Sequence, residues 1–199
     1  CLRRLIEKLR SVGSKLSSLM IPDSWKQIDK CDVLLCCYDV NRNIELEGKV
    51  YSPLLDGLAD DLKETGLRVD WFVNWGSVLV GDKAYGSPKS ANRTVSYYKL
   101  KKIFQSWIGW CLPKKIWGEW PKNPYDLILE QSNCRCVLAI GAHPFLCQAA
   151  RARNIPVIEL LHGIGYTPIP WGWDKFDVEL LPTGILSMDT ISTETFKGL

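Results

Sequence analysis

The sequence predicts an α/β domain: a mostly parallel sheet with helices on both faces. Apolar runs too short for helices recur at Cys31–Tyr38, Arg68–Trp75, Arg135–Gly141 and Val157–Leu161. Such runs, rich in β-branched and large aliphatic residues, read as strands buried on both faces. Between them lie stretches of helical spacing, and strand–helix–strand alternation is the pattern of parallel crossover units. At 199 residues the chain is long enough to close a core around one such sheet.

The elements follow in order. Leu2, Leu5, Ile6, Leu9, Val12, Leu16 and Leu19 recur at helical spacing, with Arg3, Arg4, Lys8, Arg10 and Lys15 over much of the remaining surface. They predict an amphipathic helix over 2–20, inside an N-terminal segment of residues 1–24. Such a helix either packs on the domain or rests on an anionic lipid surface as a peripheral contact. The domain proper spans 25–199. Cys31–Tyr38 is its first strand, and a polar loop runs from Asp39 to Tyr51. Ser52-Pro53 opens a helix, because serine caps well and proline suits the first helical position. Leu54, Leu55, Leu58, Ala59 and Leu62 form the buried face of this helix, and Gly66 closes it. Arg68–Trp75 is the second strand.

Residues 76–96 are rich in Gly, Ser, Asn and Lys and are expected to form a long surface excursion. A helix is expected over Tyr97–Cys111, then irregular chain over Pro113–Pro124, then a helix to Asn133. Arg135–Gly141 is the next strand, Pro144–Arg153 a short helix and Val157–Leu161 a further strand. Phe176–Pro182 is expected to be the last.

Composition narrows the function. A net charge of +3 and the lack of a recognition motif argue against nucleic acid, so Lys99–Lys102 and Lys114-Lys115 read as solvated helix faces. The eight cysteines sit mostly in strand-like or helix-like runs with neither a CxxC pair nor zinc spacing, as reduced thiols do. No metal site is expected. There is no P-loop, no GxSxG elbow and no GxGxxG after the first strand, so no dinucleotide or other cofactor is expected. The sequence has neither a signal peptide nor an apolar run long enough to span a membrane, which predicts a cytoplasmic protein. The chain opens at Cys1 and reads as a piece of a longer protein.

Parallel strands deliver their carboxyl ends to one edge of the sheet, where open α/β folds bind ligands. Three loops leave that edge, carrying Asp39, Arg42 and Glu45; Gly141 and His143; and His162, Gly163 and Gly165. Trp171 and Trp173 follow, and either could offer a flat apolar face to a sugar ring. The set suits an anionic or polyhydroxyl substrate. Arginine grips phosphate or carboxylate, and an imidazole or carboxylate takes a proton from a hydroxyl. Plainer roles stand beside these: Asp39 as a turn residue, Arg42 paired with Glu45 or Glu47, His143 as the cap of the helix at Pro144, and Gly141 and Gly163 as backbone requirements.

Val157-Ile158-Glu159-Leu160-Leu161-His162-Gly163 resembles the strand ending in His-Gly of bacterial surface-polysaccharide glycosyltransferases of the GT-B fold, the capsule and O-antigen enzymes. Asp39–Leu54, with Arg42, Gly48, Lys49, Tyr51 and Pro53, resembles their first loop. Leu181–Asp189 is similar to their passage into a second domain. The family usually has Gln before His-Gly, where this chain has Leu161. The resemblance implies a Rossmann-like three-layer sandwich, the N-terminal, acceptor-side half of a two-domain enzyme whose second domain holds the nucleotide-sugar donor. It implies a glycan or lipid-linked acceptor, with His162 and Gly163 lining the cleft and Asp39 or Glu45 as the acceptor base. The enzyme would work in the cytoplasm, or peripherally at the inner membrane. Through His-Gly alone the chain is similar also to teichoic-acid polymerases, which transfer polyol phosphates. A non-catalytic, flavodoxin-like domain that binds a sugar or an anion is the remaining alternative.

Overall fold

The computed structural model describes residues 19–108 and 122–199, the side chains of 102–108 excepted. The helix expected over 2–20, but for its last two residues, and most of the tryptophan-rich stretch near Trp110, Trp117 and Trp120 lie outside the described residues. The main elements are β1 (Val33–Cys37), β2 (Ile44–Leu46), β3 (Lys49–Tyr51), α1 (Leu55–Glu64), β4 (Val69–Val73), α2 (Asn92–Ile108), α3 (Pro124–Ser132), β5 (Cys136–Ile140), α4 (Pro144–Arg151), β6 (Val157–Leu160), β7 (Gly184–Leu186) and α5 (Thr190–Phe196).

Five strands form one parallel sheet in the order β4-β1-β5-β6-β7. Side chains alternate across it. Leu34 and Cys36 of β1 face a core shared with α2, α3 and α4 through Val95, Ile128 and Leu146. Val33, Leu35 and Cys37 face the opposite core, where Leu55 and Ala59 of α1 cover them. This is the three-layer, Rossmann-like sandwich that the resemblance implies. Within the main sheet the chain runs second, first, third, fourth, fifth strand, so the order reverses beside β1.

Local chemistry sets the ends of the helices. The Ser52 hydroxyl accepts from the Leu55 N–H at 3.3 Å, and the Asp56 carboxylate reaches back to the Ser52 N–H at 2.7 Å. At the far end of α1, Gly66 takes φ +85° while Leu67 N–H donates to Leu62 C=O. This is the left-handed closure for which glycine is suited. Asn133, at φ +46°, closes α3 in the same left-handed conformation.

Three expectations are corrected. The loop after β1 contains a two-stranded hairpin, β2–β3, turned at Glu47 (φ +52°) and Gly48 (φ +75°). Positive φ at both turn residues matches the right-handed twist of the strands they join. Residues 76–91 are no surface excursion: Ser77, Ala84 and Ser90 are buried, and α2 already begins at Asn92. Lys89 exchanges backbone hydrogen bonds with Trp71 and Val73, at 3.0 and 2.9 Å, which covers the open edge of β4. The last strand is Gly184–Leu186; Val178–Leu180 forms a short 3-10 turn that stops at Leu181-Pro182. Among the described residues no helix is long and apolar enough to cross a membrane.

Candidate functional site

A cavity of about 390 Å³ opens where the carboxyl ends of β1 and β5 diverge, at the reversal in strand order. Ligands of open α/β sheets bind at this position. Tyr38 and Asn41 enter it from the end of β1, Gly141 and Ala142 from the end of β5, and His162 from just beyond β6. Trp171, Trp173 and Phe176 complete the wall from the segment before β7.

The floor is a polar strap that runs across the strand ends. Glu159 of β6 is 0% exposed. Its two carboxylate oxygens accept from the N–H groups of Gly141, at 2.6 Å, and Ala142, at 2.8 Å. The Gly141 carbonyl accepts from the Asn74 side chain at 2.9 Å, and Asn74 accepts from the Cys36 thiol at 3.2 Å. Four strands are thereby tied together at one edge. Burial pushes the Glu159 carboxyl up to about 7, against the opposing pull of the two N–H donors. Gly141 is required here for two reasons. Its φ is +79°, and a Cβ would lie 2.6 Å from the Tyr38 ring.

The rim is aromatic. Trp171 is 49% exposed and holds φ +61°, a left-handed conformation that costs a bulky residue roughly 1–2 kcal/mol. Backbone strain of this kind is concentrated at ligand-binding segments. The Trp171 ring lies 5.1 Å from that of Trp173 and 6.4 Å from the exposed imidazole of His162, which is nearly parallel to it at 28°. Tyr38 is pushed up to about 12 by burial and stays a protonated phenol.

The structure brings together His162, Gly141 and Trp171, and separates the other expected site residues from them. Arg42 is buried and donates to Asp56 at 2.7 Å and to the Tyr85 carbonyl at 3.2 Å. Its partner is therefore on α1, and is neither Glu45 nor Glu47. Asp56 also accepts from the Trp71 indole at 2.9 Å, and burial raises its carboxyl against the pull of Arg42. The Asp39 carboxylate accepts from Val78 and Leu79 N–H at 2.6 and 3.3 Å, fastening the 76–91 segment beside the strand ends. Glu45 lies exposed on β2, away from the cavity wall. His143 caps α4, accepting from the Phe145 N–H at 3.2 Å through Nδ1, and stacks on Tyr125. Burial, helped by Lys99, lowers its imidazole to about 3, so it is neutral. Gly163 leaves room for the Tyr166 hydroxyl, which a Cβ would meet at 2.8 Å, and Gly165 (φ +69°) donates to Asp189 at 3.1 Å. Both shape the loop behind the cavity.

Glu159, Asn74, Tyr38 and Phe176 were not foreseen as site residues. The signal for Glu159 was present: an acidic residue inside an apolar parallel strand is a buried charge that must find donors. A second cavity, of about 360 Å³, lies between α4 and the β7–α5 segment. Of its two cations, Arg151 donates to the Leu181 carbonyl through one guanidinium nitrogen, its Nε being left without a partner, and Lys197 pairs with Glu194. Among the described residues no cluster of His, Cys, Asp or Glu could hold a metal ion.

No family model, curated protein or solved structure matches the chain.

Proposed function

We propose that this chain is the acceptor-side domain of a glycosyltransferase, transferring a sugar from a nucleotide-activated donor to a glycan hydroxyl. The supporting observation is the crevice at the β1–β5 divergence, with aromatic walls and a single imidazole, His162, on its rim. A sugar ring has apolar C–H faces that stack on aromatic rings, and Trp171 offers such a face beside His162. In this reading the acceptor hydroxyl attacks the anomeric carbon of the donor. The bond from that carbon to the phosphate oxygen breaks, the nucleoside diphosphate leaves, and the hydroxyl proton passes to His162. A second domain holds the donor. With Asp39 fastening backbone and Glu45 remote, the imidazole takes the base role that either carboxylate was expected to fill. Assignment to surface-polysaccharide synthesis rests on the sequence resemblance at Val157–Gly163, Asp39–Leu54 and Leu181–Asp189.

A second reading, a non-catalytic sugar-binding domain, is favoured by the engagement of Asp39 and Arg42 in structural contacts. The polyol-phosphate alternative has least support, because the arginine expected to grip phosphate is spent on Asp56.

The test is release of nucleotide from a panel of nucleotide sugars by the full-length protein and its His162→Ala variant. His162 is exposed, so the variant should melt as the parent does while losing on the order of 10²–10⁴ in rate. An unchanged rate overturns the role of His162. Sugar binding without turnover in the parent protein selects the second reading.

A further inference from the structure

We propose that the crevice selects an uncharged sugar and rejects phosphate- or carboxylate-bearing ligands, because Glu159 consumes the backbone donors that would otherwise bind an anion there. The inference rests on reading the crevice as a sugar site and adds the charge of its ligand.

The end of a parallel strand leading into a helix N-terminus is ordinarily an anion site, since free N–H groups point outward and the helix dipole favours negative charge. Here β5 leads into α4, and three donors of the junction are taken. Gly141 and Ala142 N–H go to the two oxygens of Glu159, and Phe145 N–H goes to the His143 ring. The protein has placed its own carboxylate where a phosphate would draw its hydrogen bonds. Buried beneath the crevice floor, that carboxylate then opposes a second anion drawn to the same strand ends.

The side chains agree with the backbone. Among the described residues no lysine, arginine, aspartate or glutamate lines the crevice. The nearby Arg42 is 4% exposed and bound to Asp56. The polar groups that do reach the cavity are Asn41, the Tyr38 phenol and the His162 imidazole. These are hydroxyl partners, set among the faces of Trp171, Trp173 and Phe176. A volume of about 390 Å³ with apolar walls and a few convergent polar groups is the ordinary form of a small-molecule site. Its chemistry matches a neutral polyhydroxylated ring.

The experiment compares each of three neutral sugars, glucose, galactose and N-acetylglucosamine, with its 1-phosphate. Binding to the ¹⁵N-labelled chain is followed by NMR at the Gly141 amide and the Trp171 indole N–H. At pH 8 Glu159 is ionised. At least one neutral sugar should shift both signals saturably, with its phosphate at least ten-fold weaker, and Glu159→Gln should narrow that ratio. A phosphate that binds as tightly as its neutral parent overturns the inference and leaves the crevice a sugar site. No shift with either series removes the sugar-site reading, and the inference falls with it. An unchanged ratio in a folded Glu159→Gln variant overturns the assignment to Glu159. If that variant does not fold, the comparison in the parent chain decides alone.

Discussion

Replacing Glu159 by glutamine should change the shape of the pH–stability curve, in a direction fixed by its burial. The folded carboxyl titrates near 7, against an ordinary value near 4.5. Between those values the native state holds a proton that the unfolded chain has released. The contribution of Glu159 is therefore fully present below about pH 4.5 and is lost as the pH rises through 7. At about 1.4 kcal/mol per pH decade, the loss is about 3 kcal/mol in full. His143 works the other way. Its folded value near 3 lies below the ordinary 6.5, so its contribution is present above 6.5 and lost as the pH falls. From pH 4.5 to 6.5 the two slopes oppose each other, and the parent protein should be nearly flat there. Glu159→Gln should unmask the histidine and rise in stability over that range. The charged or titratable neighbours of Glu159 do not interfere in this window: Tyr38 and Cys147 are both pushed up to about 12, Cys36 well above its ordinary value, and Tyr166 upward. Urea denaturation followed by tryptophan fluorescence, at half-unit steps from pH 4.5 to 8, gives both curves. Their difference should fall by about 3 kcal/mol and level off above 7. Parallel curves would refute the argument, since the titrating group would then not be Glu159.

Three further outcomes are expected. Arg42→Ala should destabilise by about 3 kcal/mol in urea, because the buried Asp56 loses its cation, while leaving sugar-induced shifts at Trp171 unchanged in the folded fraction. Gly141→Ala should cost roughly 2–4 kcal/mol by the same measurement, summing a left-handed backbone penalty with displacement of the Tyr38 ring. Trp171→Gly should melt within about 1 kcal/mol of the parent, since relief of the φ +61° strain offsets the entropy of glycine, yet it should lose sugar-induced shifts at Gly141.

The fold was legible wherever one residue type has one physical use. Ser52, Gly66 and the Asn133 closure ended helices as expected, and unbroken apolar runs marked β1, β5 and β6. It was illegible where composition and environment part company. Residues 76–91 look solvated by their Gly, Ser and Asn content, but those polar groups serve one another. Asn92 donates to the Ser77 carbonyl at 2.8 Å and accepts from Gly76 N–H at 3.0 Å, which lets the segment pack against the edge of β4. β7 escaped notice because its three residues begin with glycine and form no apolar run; their hydrogen bonds to β6 define the strand. The β2–β3 hairpin was signalled by Glu47-Gly48, but a turn pair that begins with glutamate is a weaker hairpin cue than Asn-Gly.

The site shows the same division between topology and side-chain direction. Parallel connectivity alone gathers the loops after β1, β5 and β6 on one edge, so His162, Gly141 and the strand-end crevice could be foreseen together. Which way a charge points could not. Arg42 and Asp39 sit in a loop at that edge, yet each finds a nearer obligation inside the fold. Asp56 would be a buried, uncompensated carboxylate without Arg42, and two N–H groups of the 76–91 segment would lose their acceptor without Asp39. A charge taken out of water is held by whatever satisfies it, and a partner within the chain is always present, whereas a ligand is not. The residues left free to meet a ligand are those the fold does not need: an exposed imidazole, and the rings that strained or glycine-rich backbone pushes outward. A charged residue that sequence places near a strand end should therefore count as a ligand contact only after the buried opposite charges have been paired off. Applied here, that rule removes Arg42 to Asp56, binds Glu159 to its two amides, and leaves His162 as an exposed imidazole on the crevice rim.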